Sequence, residues 1–220
     1  MELVRFYFDP RCPWCWQTSR WARRLQDLGE VELEWAPFSL EVVNLEEGKD
    51  PKELQAFSGP SLRTAVLLDD TVGAAAVGSF YMALGQRQFD SPPPPDDGEA
   101  WATGALEAAG MSPELCEKAL ADPSTWDRVV DETRRVAERI GRLGVPTIMV
   151  DPPEGPALFG PVISEPPDDD EAVELWRHTA WLLRNENFAE FKRKRASPPD
   201  LAMVRWRREQ QAATAARTGG

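Results

Sequence analysis

The chain has 220 residues, of which 42% are hydrophobic and 28% charged, and its formal net charge is −12. This composition supports a buried core and excludes a wholly disordered chain, and the negative charge argues against nucleic acid or an anionic membrane surface as a partner. The three cysteines, too few and odd in number for a disulfide framework, are typical of a reducing compartment.

The first ten residues, MELVRFYFDP, have neither the basic start nor the long apolar run of a signal peptide. The apolar runs elsewhere are shorter than a membrane span. We therefore expect a cytoplasmic protein that does not enter the membrane.

The first forty residues have the pattern of a β-α-β unit. Leu3 to Phe8 is rich in aromatic and β-branched residues, which predicts a first strand. Pro13 to Leu28 shows a helical period of apolar residues and begins with Pro, which is favoured in the first turn. Val31 to Pro37 alternates apolar and polar residues, as a half-buried strand does.

The middle of the chain carries helical signals without a convincing strand. Helices are predicted at 60–68 and 74–84, followed by an exposed connection over 89–95 that is rich in Pro. Ser112 is predicted to cap one further helix and Ser124 another. The apolar stripe of the last helix consists of Trp126, Val129, Val130, Val136, Ala137 and Ile140.

Strand signals return near the C-terminal end. Val145 to Val150 and Ala157 to Phe159 are predicted strands, separated by a turn rich in Pro and Gly. Asp168 to Asp170 then precede a helix that is predicted to end near Leu183, and their charge suits its N-terminus.

These elements predict an α/β fold interrupted by an all-helical insertion. Residues 1–45 and 142–200 are assigned to the α/β unit and residues 46–141 to the insertion. Residues 201–220 are polar and rich in Ala, and we expect a flexible C-terminal extension there.

Two cysteines lie at the start of the first predicted helix, with only Pro13 and Trp14 between them. A thiolate at a helix N-terminus is stabilised by the helix dipole and free N–H groups, so the pKa of Cys12 should be low. Cys12 can then attack a disulfide or another electrophile, and Cys15 can resolve the adduct. Because the intervening residues are uncharged, we expect a reducing rather than a strongly oxidising pair.

A metal site and inert packing are the alternatives for this pair. Structural zinc needs four ligands, and only Cys116 and His178 remain elsewhere in the chain, neither with a second ligand beside it. We therefore expect no metal site, interpret Cys116 as a buried small residue and assign His178 no catalytic role. Inert packing fits poorly with two cysteines at a helix start directly after a strand.

The sequence Val145-Pro146-Thr147 is a second candidate part of the site. A Pro at the start of a strand can have a cis peptide bond, and we favour cis over trans here because of the cysteine pair upstream. The Val145 backbone is a candidate for binding a thiol or peptide. Trp14 is a candidate for contacting flat aromatic substrates, with simple packing as its alternative, whereas Trp16 and Trp21 are predicted to be core residues.

The order of elements resembles the DsbA-like branch of the thioredoxin fold, and the motifs are most similar to the actinobacterial mycothiol-dependent nitroreductases. The segments that carry this resemblance are FDPRCPWCWQTSRW, FSLEVVNLEEG, GVPTIMV, LFGPVISEPPDDDEAVELW and FAEFKRKRASPPD, in this order along the chain. Together they extend to about Asp200.

The resemblance implies a thioredoxin-like fold and a cytosolic, homodimeric thiol-disulfide oxidoreductase. It implies Cys12 as the nucleophile, Cys15 as the resolving thiol and mycothiol as an electron-donating cosubstrate, with no tightly bound cofactor. It also implies a helical lid that moves with redox state, and nitro-aromatic or other electrophilic small molecules as substrates. The substrate-binding residues assigned on these grounds are Pro13, Trp14, Val145, Pro146 and Thr147.

Two other functions remain open from the residues alone. The first is a DsbA-like isomerase or protein-disulfide oxidoreductase, and the second is a non-catalytic interaction module that retains the fold.

Overall fold

A four-stranded mixed sheet forms the centre of the computed structural model, which describes residues 1–195 and 197–218. In the order β2-β1-β3-β4, β1 and β2 are parallel, while β3 is antiparallel to both β1 and β4. The strands are β1 (Glu2–Phe8), β2 (Val31–Pro37), β3 (Thr147–Val150) and β4 (Ala157–Phe159). The predicted α/β class is confirmed.

The helix α1 (Pro13–Asp27) connects the two parallel strands. Pro13 occupies its first turn, and the chain leaves the helix through Gly29, whose φ of 76° is accessible to glycine without strain. Trp16 and Trp21 are each only 1% exposed, so their prediction as core residues is confirmed.

Six helices lie between β2 and β3, together with a 3₁₀ turn at Pro51–Glu53 and a π-helical turn at Gln86–Asp90. The predicted helices are present, and their apolar stripe after residue 122 is buried as expected. The six are α2 (Leu40–Val43), α3 (Gly59–Thr71), α4 (Ala74–Gly85), α5 (Gly98–Ala108), α6 (Glu114–Ala121) and α7 (Pro123–Arg139).

The two predicted serine caps are wrong. Asp122 caps α7 by accepting a hydrogen bond of 2.9 Å from the Ser124 backbone, and Pro123 takes the first helical position. Pro at this position favours the residue before it as the cap, and Asp caps as well as Ser does. At α6 the chain enters through Pro113, so Ser112 lies one residue too early.

The sheet and the helical segment 46–141 share one hydrophobic core. Trp16 of α1 is stacked on Phe89 at a centroid distance of 6.1 Å and meets Tyr81 edge-on. Phe89 is fully buried, so its predicted place in an exposed connection is wrong. The reason is Gly85, where an added Cβ would lie 2.2 Å from the Trp16 ring, so the missing side chain lets α4 approach that ring.

The division into an α/β unit and a helical insertion stays a prediction, but the shared core shows that the two are packed closely together. Helices α3, α4 and α7 all contact β2.

The last two helices are α8 (Asp169–Leu183) and α9 (Ala202–Thr218). The structure of α9 differs from the predicted flexible extension over the residues described there; Gly219 and Gly220 lie outside them. Leu201 and Met203 are 2% and 3% exposed and belong to the main core. These two apolar residues anchor an Ala-rich segment of high helix propensity.

In the described part of the chain, no helix has both the length and the apolar character required to cross a bilayer.

Candidate active site

The two cysteines of the CPWC sequence lie together at the start of α1 as free thiols. Cys12 is the N-cap residue, and its sulfur accepts a hydrogen bond of 3.3 Å from the Cys15 backbone N–H. The Cys12 N–H in turn donates to the Asp9 carbonyl at 3.0 Å. Cys12 is 5% exposed and Cys15 is fully buried, so Cys12 is the more accessible of the two.

The environment separates the acidities of the two thiols. The side-chain hydrogen bond with Cys15 lowers the pKa of Cys12, and this effect and the backbone N–H groups outweigh burial. Burial raises the pKa of Cys15 well above its usual value, as does the neighbouring Cys12. Cys12 is therefore suited to be the thiolate nucleophile and Cys15 the thiol that keeps its proton.

The Val145-Pro146-Thr147 segment lies against Cys12. The Cys12 thiol donates to the Val145 carbonyl at 3.5 Å, and the Val145–Pro146 peptide bond is cis, as predicted. Thr147 is fully buried and its hydroxyl donates to the Gly144 carbonyl at 2.8 Å. The Thr147 side chain thus holds this loop in place, and its contact with substrate stays a prediction.

The residues between the cysteines are partly accessible, as a substrate site requires. Pro13 and Trp14 are half-buried, whereas Trp16, one residue after Cys15, is in the core. The guanidinium of Arg195 lies over the Trp14 ring, 4.5 Å from its centroid. Packing therefore covers only part of the Trp14 side chain, and the rest of its surface is accessible.

Asp9 is a site residue that sequence reasoning missed. Its carboxylate is 1% exposed and accepts hydrogen bonds of 2.8 Å from the backbone N–H groups of Arg11 and Leu40. Burial raises its pKa to about 6. In the sequence, Asp9 directly follows the predicted first strand, and its position three residues before Cys12 is the signal that could have identified it.

The charge of Asp9 raises the pKa of both cysteines, so we expect Asp9→Asn to lower the pKa of Cys12. The measurement is the ultraviolet absorbance of the thiolate during a pH titration. Asp27→Asn, which removes an exposed carboxylate from the other end of α1, is the matched control and should leave the pKa of Cys12 unchanged. An unchanged Cys12 pKa in Asp9→Asn would contradict this role.

The same substitution should change the pH dependence of folding. Because the pKa of Asp9 is raised from 3.8 to about 6, the folded protein binds this proton more tightly than the unfolded chain. Stability from this group is thus present at low pH and is lost as the pH rises through about 6. We expect the unfolding free energy, wild type minus Asp9→Asn, to fall by about 2 kcal/mol between about pH 4 and about pH 7.

An open groove of about 700 Å³ begins beside the active-site loop, at Leu40 and Glu41. Leu40 packs against the cluster that contains both cysteines. Glu41 pairs with Arg11 at 3.4 Å and accepts hydrogen bonds from Ser58 at the start of α3. Asn44 caps α2 by donating to the Leu40 carbonyl at 2.7 Å and also lines the groove.

Cys116 and His178, the two other residues of the types that bind zinc, do not form a metal site with the cysteine pair. Cys116 is 1% exposed in the core, and His178 is exposed and pairs with Glu174 at 3.5 Å. Among the residues that the structure describes, no group of three or more His, Cys, Asp or Glu side chains is arranged to hold a metal ion.

Solved structures with a similar fold are thiol-disulfide proteins. The cytosolic disulfide reductase DsbM of Pseudomonas aeruginosa aligns with a TM-score of 0.55 at 11% identity, over 82% of this chain and 99% of that one. A probable DsbA oxidoreductase, SCO1869 of Streptomyces coelicolor, aligns at 0.54 and 18%, over 92% and 99%. At such identities the likeness establishes the DsbA-like thioredoxin fold.

Sequence comparison gives the family. The chain is 33% identical over 205 residues to the uncharacterized protein Rv2286c of Mycobacterium tuberculosis, which covers 93% of this chain and 86% of that protein. The family model described as "Rv2466c-like: Mycothiol-dependent nitroreductase Rv2466c" matches residues 11–193, from the residue before Cys12 to the basic segment near Arg195. The chain therefore belongs to the Rv2466c-like mycothiol-dependent nitroreductase family, and it is a thiol-dependent oxidoreductase with the DsbA-like thioredoxin fold.

Proposed function

We propose that this protein reduces nitro-aromatic or other electrophilic small molecules with electrons from mycothiol. The observation that carries the proposal is the pair of unequal thiols, with the acidic Cys12 within hydrogen-bonding distance of the Val145 carbonyl. The family description supports the choice of thiol and substrate class.

The dithiol supplies two electrons and two protons per cycle. With a disulfide, the Cys12 thiolate attacks one sulfur, forms a mixed disulfide and releases the other sulfur as a thiolate. The Cys15 thiol then loses its proton and attacks the Cys12 sulfur, which releases the second thiolate and leaves a Cys12–Cys15 disulfide. With a nitro compound, the same two electrons and two protons convert the nitro group to a nitroso group and water.

Mycothiol closes the cycle in the proposed mechanism. One mycothiol thiolate attacks the Cys12–Cys15 disulfide, and a second displaces the first from its mixed disulfide with the enzyme. The products are the restored dithiol and mycothiol disulfide, so each turnover consumes two mycothiol molecules. The proposal includes a cytoplasmic location, where such thiols stay reduced. It also includes a homodimer, and a role as a lid for residues 46–141.

The test compares two substrates under one electron donor. With mycothiol as reductant, the protein should reduce a nitrobenzene derivative faster than it reduces the disulfides of a protein substrate. Equilibration with mycothiol should give a reduction potential for the Cys12–Cys15 pair within the cytosolic range. A strongly oxidising potential together with a preference for protein disulfides would overturn the proposal in favour of a DsbA-like exchanger.

A further inference from the structure

The segment that follows α8 returns to the active site and covers part of Trp14. Arg195 places its guanidinium 4.5 Å from the centroid of the Trp14 ring, within the range of a cation–π contact. Trp14 lies between Cys12 and Cys15 in the sequence. The contact therefore brings a permanent positive charge close to the residues that separate the two cysteines.

Contacts made by two residues that follow Arg195 attach this segment to the rest of the protein. The Ser164 hydroxyl donates to the Ser197 carbonyl at 3.3 Å, and Leu201 is buried in the core. The Ser164 loop is itself attached to α1, since Gln17 donates to the Ser164 carbonyl at 2.8 Å. A chain of contacts therefore runs from the active-site helix through Ser164 and Ser197 back to the Trp14 ring.

The charge of Arg195 contrasts with the rest of the protein. The net charge is −12, yet residues 192–195 are four consecutive cations, Lys192-Arg193-Lys194-Arg195, and all four are exposed. None of the four forms an ion pair with a carboxylate among the described residues, whereas the nearby Arg184 and Arg205 do. The positive charge beside Trp14 thus remains available to a ligand.

We propose that Arg195 is a specificity-determining residue that selects aromatic substrates with a planar pair of oxygen atoms, either a carboxylate anion or a nitro group, whose oxygens gain negative charge as it is reduced. The proposal rests on the proposed function for the identity of the reaction. The planar guanidinium matches two oxygens bidentately, and its charge stabilises the negative charge that develops on a nitro group as it accepts electrons. Trp14 holds the guanidinium in place by stacking.

The first test needs no turnover and is therefore independent of the proposed function. The rates at which Cys12 is alkylated by anionic iodoacetate and by neutral iodoacetamide are measured at low ionic strength, with the modified peptide identified by mass spectrometry. Taking the ratio of the two rates cancels changes in the thiolate fraction. Arg195→Glu should lower the iodoacetate-to-iodoacetamide ratio by about two- to fivefold, because it replaces attraction by repulsion.

Two variants make the test specific for the position of Arg195. Arg193→Glu changes the net charge by the same amount two residues away and should change the ratio much less. Arg195→Lys keeps the charge and should keep the ratio. An equal fall in Arg193→Glu and Arg195→Glu, or no fall in either, would overturn the proposal.

The second test uses turnover with a pair of matched substrates. Mycothiol-dependent reduction of 4-nitrobenzoate and 4-nitrobenzamide is followed for wild type, Arg195→Lys and Arg195→Glu. Arg195→Glu should raise the KM for the benzoate more than for the benzamide. Arg195→Lys should raise the KM for both substrates, because lysine lacks the planar guanidinium that binds two oxygens at once. If wild type reduced neither compound, the proposed function would fail, while the alkylation ratio would still decide the role of Arg195.

Discussion

Cys12→Ser should abolish mycothiol-dependent turnover, with a loss of at least about a thousandfold in kcat, because a serine hydroxyl is not ionised at neutral pH and cannot replace a thiolate. The structure makes Cys12 the more accessible of the two thiols and lowers its pKa, as a nucleophilic thiolate requires. Turnover is measured as the consumption of a nitro-aromatic substrate in the presence of mycothiol.

Cys15→Ser should have a different result. The variant keeps the nucleophile but lacks the resolving thiol, so the reaction with a disulfide should stop at a mixed disulfide on Cys12, which intact-mass spectrometry detects. Cys116→Ser is the control, since Cys116 belongs to a separate part of the core and should not affect turnover. Retained mycothiol-dependent turnover in Cys12→Ser would refute the assignment of this nucleophile.

Gly85→Ala should destabilise the protein by about 3 kcal/mol, because the added Cβ would lie 2.2 Å from carbon atoms of the Trp16 ring. This ring is 1% exposed and is held between Tyr81 and Phe89, so it has no room to move away. The measurement is urea-induced unfolding, with the midpoint and slope compared to wild type.

Gly104→Ala is the matched control, with the opposite sign expected. Gly104 lies within α5, is exposed, and an added Cβ would meet nothing within 4 Å. The same substitution should therefore stabilise the protein by about 0.5–1 kcal/mol through helix propensity alone. Similar changes in both variants would contradict the close approach between α4 and Trp16.

Local patterns predicted the parts of the fold that depend on neighbouring residues. The bounds of α1 and β2, and the buried stripe of α7, follow from periodicity and turn residues within a single segment. The redox role of the cysteine pair was predictable for the same reason, since the acidity of its thiols depends on the first turn of one helix.

The features that the sequence did not predict depend on contacts between distant segments. Phe89 reads as part of an exposed connection because nothing near it indicates that Trp16, 73 positions earlier, will cover it. Asp9 becomes a buried carboxylate only when α2 places the Leu40 N–H beside it. Arg195 belongs to a run of charges typical of a solvated surface, and only the folded chain brings it onto Trp14.

The core shared by the sheet and the helical segment also limits how this fold can be recombined. Tyr81, Gly85 and Phe89 of the helical segment have shapes that fit Trp16, the residue directly after Cys15. A helical segment transplanted from a relative would bring its own counterparts to these positions and meet an indole for which they were not selected. Chimeras intended to exchange substrate range should therefore carry α1 and the α4 region from the same parent.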